Sequence, residues 1–145
     1  MLLTNIGDIA HVIQLAVAPV FLLTAIGTML AVLTNRLGRA VDRSRVVENL
    51  LSNLADESLA NAHEELLLLA RRVRLIYVAI VLAVMSALFV CLLIAGAFVD
   101  AFIAANLARA IAVLFVLAML ALIGSLTVFL REIFLAVTSA RRAMR

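Results

Sequence analysis

The sequence predicts an all-α membrane protein: three transmembrane helices with long cytoplasmic helical extensions, namely an antiparallel hairpin and a C-terminal helix. Hydrophobic residues make up 67% of the chain and charged residues 14%, whereas soluble domains have about 45–50% and about 25%. A chain of 145 residues buries too little of its surface to hide so much apolar area from water. Lipid is therefore the expected solvent for much of this chain.

Three apolar stretches are long enough to cross a hydrocarbon core of about 30 Å, which requires roughly 20 residues of helix. They cover approximately residues 9–33, 75–99 and 110–130. Helix is the expected structure there because backbone polar groups find no water in lipid. We predict one integrated domain that comprises a first transmembrane helix (1–35), a cytoplasmic hairpin (36–74), the second and third transmembrane helices (75–130) and a cytoplasmic C-terminal helix (131–145).

All twelve basic residues are arginine, and their distribution is uneven. Four of them follow the third span, whereas the loop between the second and third spans contains only Arg109. The positive-inside bias therefore predicts that the N-terminus lies outside and that the hairpin and the C-terminus are cytoplasmic. We assign topology or lipid-headgroup contacts to the seven arginines between the first two spans: Arg36, Arg39, Arg43, Arg45, Arg71, Arg72 and Arg74.

The formal net charge of +3 is explained by membrane topology. No aromatic residues alternate with the arginines, so the pattern does not indicate a nucleic-acid partner. Attraction of arginine to anionic lipid surfaces is the simpler explanation. Membrane lipids are therefore the predicted partners, and nucleic acid is not.

Apolar residues of the extensions recur at alternating spacings of three and four, which is typical of a seam between packed helices. The first seam comprises Leu33, Leu37, Ala40, Ser44, Val47, Leu51 and Leu54. The second seam comprises Leu59, Ala62, Leu66, Leu69, Val73 and Ile76. A third seam follows the last span and comprises Leu126, Leu130, Ile133, Val137, Ala140 and Met144.

A more polar stripe follows the opposite face of the first helix, because Asn35 and Leu37 point about 200° apart at 100° per residue. Polar groups in lipid normally face another helix or a water-filled path. One interpretation is that the threonines bond to their own helix and permit close packing. The other is that the stripe lines a pore or an interface between subunits. The candidate residues are Gln14, Phe21, Thr24, Thr28, Asn35 and Asp42.

The sequence contains no recognisable catalytic constellation, phosphate loop or cofactor fingerprint, so we expect no enzyme and no cofactor. His63 and Glu64 begin the zinc pattern H-E-x-x-H, but Leu67 stands where the second histidine is required. No metal site is therefore predicted.

Two stretches resemble a known family. "LTNRLGRAVDRSR" (33–45) and "LLARRVRLIYVAI" (68–80) are similar to small bacterial inner-membrane proteins catalogued as domain of unknown function 2721. The resemblance covers nearly the whole chain, including the three spans and the basic segments at both ends of the hairpin. It implies a bacterial inner membrane and carries no site residues.

Two hypotheses for function follow. The leading one is a homo-oligomeric, channel-like membrane protein in which the first helices surround an axis, because three helices alone enclose no lumen. The ion sign stays open, since Asp42 favours a cation and the neighbouring arginines an anion. The alternative is a structural or regulatory protein whose arginine-rich hairpin binds lipid headgroups or a partner. A small transporter would require broken helices or inverted repeats, which the sequence does not suggest.

Overall fold

The computed structural model describes residues 2–51, 56–103 and 106–143 of the chain. Side chains are described within residues 13–14, 16–50, 62–103 and 106–138. The described chain forms three helices and no strand: α1 (Leu2–Leu51), α2 (Asp56–Ile103) and α3 (Ala108–Ala143). The prediction of an all-helical protein is confirmed.

Each helix contains a segment that is long and apolar enough to cross a membrane. These segments are Ala16–Leu50, Ala62–Ile103 and Ala108–Thr138, and the most apolar 18-residue window of each has a mean hydropathy of 2.3, 3.0 and 2.7, respectively. Each exceeds the roughly 20 residues that a membrane-spanning helix needs. The three helices are therefore those of a multi-pass membrane protein, as the composition predicts.

The chain divides into two compact units. The first unit comprises Met1–Leu30 and Leu82–Ile123, and the second comprises Ala31–Val81 and Gly124–Arg145. Each unit thus contains a part of all three helices.

The first unit has an apolar core to which all three helices contribute. The buried residues of this cluster are Ile26 of α1, Ala83, Val90 and Leu93 of α2, and Ala118 of α3. The buried Ser86 hydroxyl of α2 donates a hydrogen bond of 2.8 Å to the Ala118 carbonyl oxygen of α3. Small residues at these positions let two backbones approach closely, and a polar bond between helices holds them there.

The turn from α2 to α3, also in the first unit, is fixed by side-chain and backbone bonds. The Asp100 carboxylate accepts a hydrogen bond of 2.9 Å from the Leu107 backbone N–H, and the Ile111 N–H then donates to the Leu107 carbonyl. Asn106 adopts a φ of 54°, a left-handed conformation that asparagine tolerates better than most residues. Asp100 therefore satisfies a backbone donor at the start of α3.

In the second unit the described side chains of the first two predicted seams are buried or partly buried, and the partly buried ones are Leu37, Ser44, Ala62, Leu66 and Val73. Leu33, Ala40 and Val47 of α1 are buried at seven-residue intervals, and so are Leu69 and Ile76 of α2. Leu51, Leu54 and Leu59 lie outside the described side chains. This agreement indicates that apolar spacing correctly identified the packing faces of α1 and α2.

The third predicted seam is wrong. Leu126, Leu130 and Val137 are each about half exposed and Ile133 is only partly buried, whereas Ser125 and Glu132 are fully buried. Ala140 and Met144 lie outside the described side chains. The Ser125 hydroxyl donates a hydrogen bond of 2.7 Å to the Ala79 carbonyl oxygen. Buried polar groups need such partners inside the protein, while leucine and valine are stable facing lipid, and apolar spacing does not distinguish the two situations.

Candidate functional site

A fully buried carboxylate joins the three helices in the second unit. The Glu132 side chain on α3 has an exposure of 0%, while Arg36 on α1 and Arg72 on α2 retain 24% and 26%. Nε and Nη2 of Arg72 lie 3.3 and 3.1 Å from Oε1 of Glu132, and Nη2 of Arg36 lies 3.3 Å from Oε2. Burial of a carboxylate is costly unless charged or hydrogen-bonding partners replace the lost hydration.

The two arginines are bound unequally. Oε2 of Glu132 is buried and accepts no hydrogen bond from the described part of the chain, so its contact with Arg36 is an ion pair without hydrogen-bond geometry. The Arg36 guanidinium also lies over the Phe129 ring, with 5.2 Å between the central carbon Cζ and the ring centroid, a distance suited to a cation–π contact. Arg72 is thus the tightly bonded partner, and Arg36 keeps its N–H donors largely uncommitted.

Helical spacing explains why these side chains meet. Arg36 follows the buried Leu33 by three residues, Arg72 follows Leu69 by three, and Glu132 follows Ser125 by seven. Residues three or seven apart lie on the same helical face. Each charged group therefore extends from a face that is already packed against a neighbouring helix. Long arginine side chains can then pass along the apolar surface and keep their charged ends near solvent.

Arginine also surrounds a cavity of about 290 Å³ between α1 and α2 of this unit. We call it the arginine cavity, and it is lined by Arg36, Arg39, Ala40, Arg43, Leu69 and Arg72. A second cavity of similar size in the same unit, about 310 Å³, has a mainly apolar lining without arginine. Of these two cavities, guanidinium groups are therefore concentrated around the first.

Among the residues that the structure describes, two carboxylates contact the four arginines of this cavity. Glu132 bridges Arg36 and Arg72. Glu65 accepts from Arg43, whose Nη2 lies 2.7 Å and Nε 2.8 Å from Oε1, with side-chain exposures of 55% for Arg43 and 42% for Glu65. Arg39 is exposed and makes no ion pair with any residue that the structure describes. The lining thus has more positive than negative charge, which suits an anion.

The structure separates the seven predicted lipid or topology arginines into two groups. Arg36, Arg39, Arg43 and Arg72 line the arginine cavity. The other three, Arg45, Arg71 and Arg74, are exposed and do not line it.

The predicted polar stripe of α1 is exposed throughout. In the first unit the Thr24 and Thr28 hydroxyls donate to the carbonyl oxygens of Val20 and Thr24 at 3.3 and 3.0 Å. The threonines therefore bond to their own helix, as one of the two interpretations requires. The exposed stripe residues in the first unit are Gln14, Phe21, Thr24 and Thr28, and those in the second are Asn35 and Asp42.

Sequence reasoning missed Glu132, the centre of the arginine contacts. The available signal was Glu132 itself, the single carboxylate in the largely apolar segment "TVFLREIFLAV" of α3 (127–137). An ionisable group in such a segment generally faces the protein interior and pairs with a cation. Its partners could not be read from spacing, because they lie 60 and 96 residues away along the chain.

Among the described residues, no group of three or more His, Cys, Asp or Glu side chains is placed to hold a metal ion. The carboxylates of the site are arranged around arginines instead. An anion, rather than a cation, is the ligand that these donors suit.

The profile of a protein family of unknown function, DUF2721, matches residues 16–142. The chain belongs to this family. The match covers both units, and it confirms the resemblance of the two basic segments. No curated protein and no solved structure matches the chain. The family description assigns no activity. The evidence for the function of this DUF2721 protein therefore comes from the site itself.

Proposed function

We propose that this multi-pass membrane protein binds the anionic headgroups of membrane lipids in the arginine cavity and has a structural or regulatory role. The observation that supports this proposal is that four arginines line one cavity, whereas two carboxylates of the described residues form ion pairs with them. Arginine presents planar donors that match phosphate oxygens in pairs.

The donors available to a ligand can be identified. Arg72 uses Nε and Nη2 on Glu132, and Arg43 uses the same two atoms on Glu65. Within the described part of the chain, Arg36 and Arg39 donate no hydrogen bond. A guanidinium has five N–H donors, so Arg36 and Arg39 supply most of the unused capacity.

The position of the cavity along the helices suits a lipid headgroup. Arg36 and Arg39 follow the apolar stretch 9–33, and Arg72 precedes the apolar stretch 75–99; all three lie within the longer candidate spans Ala16–Leu50 and Ala62–Ile103. Arginine at such positions attracts anionic lipid by about 1 kcal/mol per residue. We place this end of the helices on the cytoplasmic side of a bacterial inner membrane, because arginine is concentrated there.

The orientation has its own test, in which single cysteines are introduced into a Cys91→Ser background. Arg45→Cys and Arg109→Cys place one thiol on each proposed side of the membrane. A membrane-impermeant maleimide should label the cysteine at position 109 in intact cells and the one at position 45 only after lysis. The reverse result would place the arginine cavity outside.

Lipid retention tests the proposed binding. The protein would be extracted from membranes that contain phosphatidylglycerol and phosphatidylcholine, and the co-purified lipids quantified by mass spectrometry. Arg39→Gln should lower retained phosphatidylglycerol by about tenfold, the loss expected for one charged hydrogen-bonding contact. Arg45→Gln is the matched control, since it removes an exposed charge of the same helix outside the cavity. The proposal is contradicted if the wild-type protein retains neither phosphatidylglycerol nor, in a matched preparation, phosphatidic acid above phosphatidylcholine.

A second candidate function is a homo-oligomeric channel with α1 around its axis. The exposed stripe supports it, because Thr24, Thr28 and Asn35 would otherwise face lipid or solvent. The mass of the detergent-extracted complex and ion flux in liposomes test this candidate. A monomer, or an oligomer without flux, would refute it.

A further inference from the structure

We infer that the ligand of the arginine cavity is a phosphomonoester rather than a phosphodiester. This inference rests on the proposed function and specifies its ligand. The four lining arginines and the two carboxylates that contact them leave two positive charges. A phosphomonoester carries about −1.5 to −2 at pH 7, whereas the diester of phosphatidylglycerol carries one negative charge. The charge of the cavity matches the monoester.

The unused donors favour the same ligand. A terminal phosphate offers three strong acceptor oxygens, whereas a diester has only two unsubstituted oxygens. Arg36 and Arg39 have uncommitted guanidinium faces, and one nitrogen, Nη1, is left on each of Arg43 and Arg72 once Nε and Nη2 are paired. N–H donors from two helices can therefore bond all three oxygens of a terminal phosphate, whereas a phosphodiester offers them only two.

Glu132 holds Arg72 in place and leaves Arg36 available to a ligand. Its buried carboxylate fixes Arg72 through two hydrogen bonds and leaves Arg36 held only by an ion pair at 3.3 Å. Arg36 can therefore turn its donors toward a ligand without breaking a hydrogen bond.

The volume of the arginine cavity limits the size of the ligand. This volume of about 290 Å³ lies at the lower end of the range of about 300–1,000 Å³ for small-molecule pockets. A phosphate headgroup fits, and the acyl chains of a lipid would have to remain outside it. Two sources share this chemistry: phosphatidic acid in the membrane, and a soluble phosphomonoester such as glycerol 3-phosphate.

The deciding experiment compares phosphatidic acid with phosphatidylglycerol in phosphatidylcholine nanodiscs that contain the full-length protein. Phosphatidylglycerol is used at roughly twice the mole fraction, so that the surface charge is matched. Native mass spectrometry then counts bound lipids. We expect the wild-type protein to retain phosphatidic acid about tenfold over phosphatidylglycerol, or to bind glycerol 3-phosphate in lipid-free detergent if the source is soluble.

Variants test whether the cavity causes this preference. Arg39→Gln should abolish it, and Arg39→Lys should restore binding only partly, because lysine lacks the planar fork. Glu65→Gln should strengthen binding of the monoester by releasing Arg43. Arg45→Gln should change nothing, and the helical circular dichroism of every variant should match that of the wild type.

The outcomes separate this inference from the function on which it rests. Equal retention of the two anionic lipids at matched charge, with both lost in Arg39→Gln, would overturn the monoester preference and leave lipid-headgroup binding intact. Binding of neither anionic lipid above phosphatidylcholine, together with no binding of glycerol 3-phosphate, would overturn both.

Discussion

Replacing Glu132 with glutamine tests whether the buried carboxylate holds the second unit together. Glutamine preserves the shape and one acceptor oxygen but removes the charge that faces Arg36 and Arg72. Removal of one partner from a buried ion pair typically costs about 3–5 kcal/mol. Arg36 and Arg72 retain 24% and 26% exposure and can remain partly hydrated. We therefore expect a smaller loss in the free energy of unfolding, about 2 kcal/mol.

The assay is detergent-induced unfolding followed by far-ultraviolet circular dichroism. Glu64→Gln is the matched control, because Glu64 is exposed and such substitutions change stability by at most about 0.5 kcal/mol. The double variant Glu132→Gln/Arg72→Gln should lose less than the sum of the two single losses, with a coupling of about 1–2 kcal/mol. If Glu132→Gln is as stable as the control, or if the coupling is zero, the assigned role of Glu132 is refuted.

Three further predictions concern other contacts. Ser125→Ala should lower the free energy of unfolding by about 1 kcal/mol, because the hydrogen bond that its buried hydroxyl donates to the Ala79 carbonyl oxygen would be lost; an unchanged unfolding midpoint would contradict this. Arg43→Gln should cost at most about 0.5 kcal/mol, because the Arg43–Glu65 pair is more than a third exposed and screened by solvent; a larger loss, or one insensitive to salt, would show that the pair is less screened than its exposure indicates. Gly38→Ala should raise the melting temperature, because an added Cβ there meets nothing within 4 Å and alanine favours helix by about 0.8–1 kcal/mol; a lower melting temperature, or altered assembly in size-exclusion chromatography, would instead indicate a close contact at this position of α1.

Much of the fold could be predicted from the sequence, because membrane-spanning helices follow from local composition. The length of each apolar stretch and the absence of water in lipid leave helix as the structure for a segment such as 75–99. The packing faces of α1 and α2 could also be predicted from the sequence, since Leu33, Ala40 and Val47 recur with a simple period and are buried. The arginine clusters could also be recognised in the sequence. Spacing alone did not show that Arg39 lines the cavity and that Arg45 does not.

The packing face of α3 required the tertiary structure. In water an apolar period marks a buried face, but beside lipid the same leucines are stable outside the protein, as Leu126 and Leu130 show by their exposure. Buried polar groups then reveal the packed side, and their identification depends on partners far away in the chain. Ser125 reaches Ala79.

The sequence by itself therefore determined the three apolar helices, their membrane character and the surplus of arginine beside them, because these depend on composition and local period. Only the tertiary structure decided which arginines act together. Arg36 and Arg72 meet at Glu132, and Arg39 and Arg43 border the same cavity. The physical reason is that ion pairing depends on distance in space, and residues 22 to 96 positions apart along the chain are brought within about 3 Å only when the helices pack.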